Sequence, residues 1–188
     1  DVSRTRLDDA GLGSVAAWTP WLRELIAAGN NITRVPLLNN LGKLQALDLG
    51  HNQISSLPAE CFPPELGSTL RKLNLEDNRL DRLDVPTAGD ATGTGGATNN
   101  VGQAAGKQQQ PQQQSTACSL TLLTSLVDLN VACNKFDAHG AGHSLGVFTK
   151  AGFPRLSNLD VRGNNLPAEE EARELLRIST VLPTLKTV

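Results

Sequence analysis

Residues 70–80 read Leu70-Arg71-Lys72-Leu73-Asn74-Leu75-Glu76-Asp77-Asn78-Arg79-Leu80, and the placing of leucines around one asparagine decides how the chain folds. In Leu73-Asn74-Leu75 two aliphatic residues flank a polar one, so an extended segment turns both leucines to one face. Working outward, the pattern L-x-x-L-x-L-x-x-N-x-L recurs at Leu44, Leu47, Leu49, Asn52, Ile54 and, before that, at Leu22, Leu25, Ala27, Asn30, Ile32. Towards the C-terminus it recurs at Leu126, Leu129, Val131, Asn134, Phe136 and at Leu156, Leu159, Val161, Asn164, Leu166. A weaker copy opens the chain at Val2, Thr5, Leu7, Ala10 and Leu12, and another begins at Leu185 and breaks off at Val188.

One such strand cannot bury its apolar face, but stacked copies form a parallel sheet backed by a continuous aliphatic wall. The asparagines Asn30, Asn52, Asn78, Asn134 and Asn164 fall where the chain turns off the strand. A short amide there satisfies backbone groups whose burial unpaired would cost about 1–3 kcal/mol each. Ala10 interrupts this column in the first copy and marks an irregular end repeat. The pattern resembles the leucine-rich-repeat family over nearly the whole chain. That resemblance implies an α/β solenoid: a horseshoe with a parallel sheet on its concave side and mixed extended and helical segments on its convex side.

First positions at Val2, Leu22, Leu44 and Leu70 are 20, 22 and 26 residues apart, and the next interval, to Leu126, is 56. Within it, residues 87–117 carry Val101 as their one large apolar side chain, among Gly, Ala, Thr, Asn and the tract Gln108-Gln109-Gln110-Pro111-Gln112-Gln113-Gln114. Removing those 31 residues leaves 25, an ordinary repeat. The reading is one domain, 1–188, with a low-complexity disordered insertion at 87–117, too poor in apolar surface to offset its ordering entropy. Its deletion is expected to leave the repeats folded.

After each asparagine the first four copies carry an apolar residue at a fixed offset, Val15, Val35, Leu57 and Leu83, and Pro36, Pro58 and Pro86 follow closely. Proline there favours extended or turn-like return segments. The last two copies have His139 and Glu169 instead, with intervals of 30 and 29. Pro167 before Glu169, Glu170 and Glu171 reads as a helix start, with Ala172, Leu175, Leu176 and Leu182 as its apolar stripe and Pro183 as its stop. The early repeats resemble the short intracellular class, which includes an axonemal dynein light chain and a phosphatase regulator. The last two resemble the helix-bearing class that includes ribonuclease inhibitor.

A chain that is 39% hydrophobic can bury a sizeable core spread along such a stack. Net charge of −2 and a pI near 5.9 give no reason to expect nucleic acid or anionic lipid as partners. No apolar run approaches the roughly 20 residues that cross a membrane. Cys61, Cys118 and Cys133 do not form the paired clusters that cap extracellular repeats, which points to a reducing, cytoplasmic compartment. The chain has no methionine, starts at Asp1 and stops inside a repeat, so a longer chain or a partner is expected to continue the stack.

Catalytic chemistry finds little footing. Gly102, Gly106 and Lys107 loosely follow a phosphate loop, but the spacing is one residue short and Gln108 replaces the Ser or Thr. Asp137, His139 and His143 could approach a metal, but Gly140 and Gly142 deny them a rigid face. No nucleophile, base and acid set stands out. The expectation is a protein that is not an enzyme, with no cofactor, no metal and no small-molecule substrate.

Binding is then the function to place. Strand residues alternating with the leucines face the concave side: Arg4, Arg6 and Asp8 in the first copy, Glu24, Ile26 and Ala28 in the second, Ala46, Asp48 and Gly50 in the third. Lys72, Asn74 and Glu76 follow, then Asp128, Asn130 and Ala132, then Asn158, Asp160 and Arg162. The most polar stretch is Arg71, Lys72, Asn74, Glu76 and Asp77, and Asp48, Asn74, Asn130 and Asp160 form a column that is either scaffold or site. No aromatic residue sits on this face, although aromatics and Arg usually anchor strong interfaces. Trp21 stands where every other repeat has a polar residue (Lys43, Thr69, Ser125, Arg155, Thr184); it either contacts a partner or folds into the core. The candidate partner-binding residues are thus Trp21, Asp48, Arg71, Lys72, Asn74, Glu76, Asp77, Asn130, Asp160 and Arg162. With the resemblance, two functions follow: a scaffold held as a structural subunit of a large intracellular assembly such as the ciliary axoneme, or a regulatory or sensing module of phosphatase-regulator, GTPase-regulator or immune-receptor type.

Overall fold

A computed structural model describes residues 1–58, 60–83, 119–136 and 145–186. The central residues of the five complete copies form strands β1 (Glu24–Ile26), β2 (Ala46–Asp48), β3 (Lys72–Asn74), β4 (Asp128–Asn130) and β5 (Asn158–Asp160). They make one parallel sheet in chain order, with Leu25, Leu47, Leu73, Leu129 and Leu159 side by side in register. Each of these leucines is 2% exposed, and the next residue of the pattern (Ala27, Leu49, Leu75, Val131, Val161) is equally buried. Burial of one such leucine contributes about 1.5–3 kcal/mol. The architecture is the α/β solenoid with a parallel concave sheet that the spacing predicts.

The asparagine column joins each repeat to the one before. Nδ2 of Asn52 donates to Leu49 O (3.0 Å) in its own repeat and to Ala27 O (3.1 Å) in the preceding one, while Oδ1 accepts from Ile32 N (3.1 Å). Asn78 and Asn134 make the corresponding bonds, and all three side chains are buried. Just before each asparagine the backbone enters the left-handed region, at Gly29, His51, Asp77, Cys133 and Gly163.

This regularity corrects the register of the first copy. Val2 N and Arg4 N donate to Ile26 O (2.8 Å) and Ala28 O (3.0 Å), as Ala27 N and Gly29 N donate to Asp48 O and Gly50 O. Val2 therefore matches Ala27, and left-handed Arg4 matches Gly29. Thr5, not Ala10, holds the asparagine position: its Oγ1 donates to Val2 O (2.8 Å), as Asn30 Nδ2 donates to Ala27 O (2.9 Å). The expected alignment is five residues out. Its cause lies in the pattern itself, where first, sixth and eleventh positions are all apolar and evenly spaced, so Val2, Leu7 and Leu12 fit either register. Arg4, Arg6 and Asp8 consequently belong to no strand of the sheet.

Return segments differ from repeat to repeat. After the first turn comes helix α1 (Asp9–Trp18), not the expected extended chain, so Val15 is a helical residue. Asp8 caps α1 by accepting from Gly11 N (2.8 Å), and no proline interrupts the segment before Pro20. Val35, Leu57 and Leu83 pack inward as expected, and a single helical turn, α2 (Pro64–Gly67), precedes β3. A 3-10 turn (Ser119–Leu122) precedes β4. Helix α3 (Ala168–Val181) follows Pro167, as the acidic run predicts. Its buried residue is Ile178, with Leu175 half-buried and Leu182 buried at its C-terminal cap; Leu176 is 69% exposed and Ala172 is exposed, so neither belongs to the stripe. The insertion at 87–117, with Gly102, Gly106 and Lys107, lies outside the described residues. So do Pro86, Cys118, Asp137, His139, His143 and Val188.

Candidate functional site

Alternation along five short strands sets three rows of side chains on the concave face. The first row is Glu24, Ala46, Lys72, Asp128 and Asn158. The second is Ile26, Asp48, Asn74, Asn130 and Asp160. Just past the strand ends stand Ala28, Gly50, Glu76, Ala132 and Arg162. Residues of all five strands line a single open groove of about 560 Å³.

The second row is tied to its own backbone. Asp48 Oδ1 accepts from Gly50 N (2.9 Å), Asn74 Oδ1 from Glu76 N (3.0 Å), Asn130 Oδ1 from Ala132 N (3.0 Å) and Asp160 Oδ1 from Arg162 N (3.1 Å). Each bond satisfies an N–H two residues on, an Asx turn repeated four times. Ile26, in the first repeat, has no acceptor to offer. Side chains also bridge neighbouring strands: Asn74 Nδ2 to Asp48 Oδ1 (2.9 Å), Asn130 Nδ2 to Glu76 Oε2 (2.9 Å), and Asn158 Nδ2 to Asp128. Gly50 leaves room for this lattice, since a Cβ there would stand 2.9 Å from Asn74 Nδ2.

Both cations of the face have partners. Lys72 Nζ lies 3.9 Å from Asp128 Oδ2, and Arg162 Nε donates to Asp160 Oδ1 at 2.9 Å. The Arg162 guanidinium holds the Asp160 carboxyl below its ordinary value, and Asp160 in turn raises Arg162. Seven of the expected residues thus meet in the groove and its rim: Asp48, Lys72, Asn74, Glu76, Asn130, Asp160 and Arg162. Three do not. Arg71 is exposed ahead of β3, and its backbone bonds Gln45 O and Val127 N. Asp77, left-handed, places its Oδ2 2.8 Å from His51 Nδ1 on the adjoining rim. Trp21 is 67% exposed, so it is outside the core, and it does not line the groove.

Sequence reasoning put Glu24, Asp128 and Asn158 on this face without giving them a role, and it missed His51. The signal for His51 was the position before each asparagine, glycine in two of five copies, which marks a left-handed column shared by Asp77. Among the described residues no group of three or more His, Cys, Asp or Glu side chains is placed to hold a metal, and no helix is long and apolar enough to cross a membrane.

Residues 20–61 match the family described as leucine rich repeats (2 copies). No curated protein matches the sequence. Among solved structures, a leucine-rich-repeat protein from Leptospira interrogans is similar with a TM-score of 0.50 and 21% identity, over 89% of this chain and 36% of that one. An internalin from Listeria monocytogenes gives 0.49 and 20%, over 92% and 36%. TLR13 in complex with ssRNA13 gives 0.47 and 20%, over 76% and 15%. The chain therefore spans about a third of the length of the first two proteins and a smaller share of the third. Domains of this kind are in general non-catalytic modules for protein–protein interaction. With the motif matched over residues 20–61 and the strands in register over five repeats, the chain has the leucine-rich-repeat solenoid fold.

Proposed function

We propose that this chain is a non-catalytic protein–protein interaction scaffold, serving as a structural subunit of a large intracellular assembly such as the ciliary axoneme. The concave groove supports the interaction reading. The polar side chains of its second row are already fixed by bonds to the backbone and to each other, so a partner meets a surface whose ordering cost is small. The assembly and the axoneme rest on the resemblance of the early repeats to the short intracellular class, with its dynein light chain and phosphatase-regulator members.

One observation favours the regulatory alternative, a module of phosphatase-regulator, GTPase-regulator or immune-receptor type. The groove carries charged and amide side chains among aliphatic ones and no aromatic anchor, which suits a reversible, salt-sensitive contact. Affinity capture of the tagged chain from its native source separates the two. A complex that survives high salt supports the structural subunit; one released by salt or by a signal supports the regulator. Ala46→Arg, which fills the groove, should abolish capture in either case. Capture that is indifferent to Ala46→Arg would place the interaction elsewhere.

A further inference from the structure

Charge on the concave face is unevenly settled. On β4 and β5 the carboxylates of Asp128 and Asp160 face their own cations, Lys72 and Arg162. On β1 to β3 three others have no cation within ion-pair distance among the described residues: Glu24, Asp48 and Glu76. Arg162, whose field reaches Glu76, is itself held by Asp160.

These three carboxylates stand on a diagonal: Glu24 in the first row of β1, Asp48 in the second row of β2, and Glu76 just past β3. One strand across and two residues along separates each from the next, a step of about 8 Å. Small residues flank the line. Ala46 and Gly50 lie beside Asp48, and Ala132 lies beyond Glu76; Glu24 and Asp48 line the groove, and Glu76 stands at its rim, bonded to the lining residue Asn130. Asp48 and Glu76 each have one carboxylate oxygen engaged by amides, which fixes the headgroup and leaves the other oxygen available.

We infer that this diagonal receives an extended peptide segment of a partner protein carrying Arg or Lys at alternate positions. In an extended chain every second side chain points the same way at a spacing of about 6.5–7 Å, and the length and flexibility of Arg or Lys cover the difference from the carboxylate spacing. The segment crosses the strands obliquely and adds no strand to the sheet. Recognition is by charge complementarity and register, which gives fast association and a marked salt dependence. The inference rests on the concave groove being the interaction surface and names what that surface takes.

The test is fluorescence anisotropy with short labelled peptides: alternating Arg-Ser, alternating Glu-Ser, and a block peptide with the arginines contiguous and the same total charge. The protein is compared with Glu24→Gln/Asp48→Asn/Glu76→Gln, in which the amide replacing the Asp48 carboxylate keeps an oxygen to accept from Gly50 N; circular dichroism melting checks the fold. The alternating Arg-Ser peptide should bind, the Glu-Ser peptide should not, and the block peptide should bind more weakly. The triple substitution should weaken the Arg-Ser complex by roughly tenfold at low salt, the combined effect of three exposed charge pairs. No binding by the native protein, equal binding of the block peptide, or undiminished binding by the variant would overturn the inference. If the peptide fails while Ala46→Arg still blocks capture of the native partner, the scaffold reading stands and only this partner chemistry falls.

Discussion

Asn52 and Asn78 make the same three bonds, at 3.0, 3.1 and 3.1 Å in one and 3.1, 3.0 and 3.0 Å in the other. The segments that return the chain to the next strand share almost nothing: a ten-residue helix α1, an extended run through Pro36, a single turn α2, and the fourteen-residue α3. The difference is between directional and non-directional forces. Backbone hydrogen bonds must recur at a fixed interstrand spacing of about 4.8 Å, so the strand side tolerates one geometry. The return side has to fill volume and exclude water, which many backbones can do.

The severest way to break the strand side is to hollow it. Leu73→Ala removes a side chain at the centre of the sheet's buried row, between Leu47 and Leu129, and should cost about 2–5 kcal/mol in denaturant unfolding. A loss near zero would show that the row is not the wall between repeats.

Next comes the ladder. Asn52→Ala leaves Ile32 N, Ala27 O and Leu49 O without this partner, at about 1–3 kcal/mol for each group that finds no other. Thr5→Val, at the equivalent but exposed position, should cost less than about 1 kcal/mol, because water replaces the lost bond. Equal losses for the two would dissolve the distinction between ladder and end.

Two glycines sharpen the reading of the return side. A Cβ on Gly67 would lie 2.2 Å from Leu122 O, so Gly67→Ala must displace backbone and should cost about 1–3 kcal/mol. Gly13 in α1 has nothing nearer than 3.7 Å, and Gly13→Ala should stabilise by about 0.5–1 kcal/mol. Opposite signs in thermal melts would show that the return side is restrictive only where two backbones meet.

The smallest effect is electrostatic. Asp9 reaches from α1 to the next repeat and accepts from Thr33 N (2.7 Å), Thr33 Oγ1 (2.7 Å) and Arg34 N (3.1 Å). Partial burial pulls its pKa up, but these bonds and the Arg34 charge outweigh it and hold the carboxyl below its ordinary value. A carboxyl depressed on folding adds stability above its unfolded value and loses it as pH falls through the folded one. The melting-temperature gap between the native chain and Asp9→Asn should therefore hold from neutrality down to about pH 4 and close below it. A gap that widened in acid would reverse the assignment.

The strand side was legible because its residues are chosen by a periodic constraint: Leu25, Leu47, Leu73, Leu129 and Leu159 sit at one position of one motif and pair in register. The same periodicity misled at Val2, where a spacing of five fits two alignments and only the bonds of Val2 N and Arg4 N decide. Helix α1 was hidden because its start depends on one cap, Asp8, and its residue Val15 was read as part of an extended return segment. In α3, Leu176 counted as core by type, yet the helix turns Ile178 inward instead. The groove was legible as a face, but not the Asx turns that fix its second row, since Asp48 and Asn74 look alike whether they bind a partner or their own backbone.

The asparagine bonds run one way. Each amide reaches from its own repeat to the carbonyl and N–H of the repeat before it, as Asn78 does to Leu49 O and Ile54 N. Every repeat therefore brings the fastening for its junction with its predecessor and asks of that predecessor only main-chain groups, which any sequence supplies. Such a unit is transposable: a duplicated copy inserted in tandem carries its own joint at one end and presents a generic backbone at the other. Growth or loss of whole repeats by recombination then leaves no side-chain mismatch along this ladder, whereas a cut within the motif would separate an amide from the strand it is built to fasten.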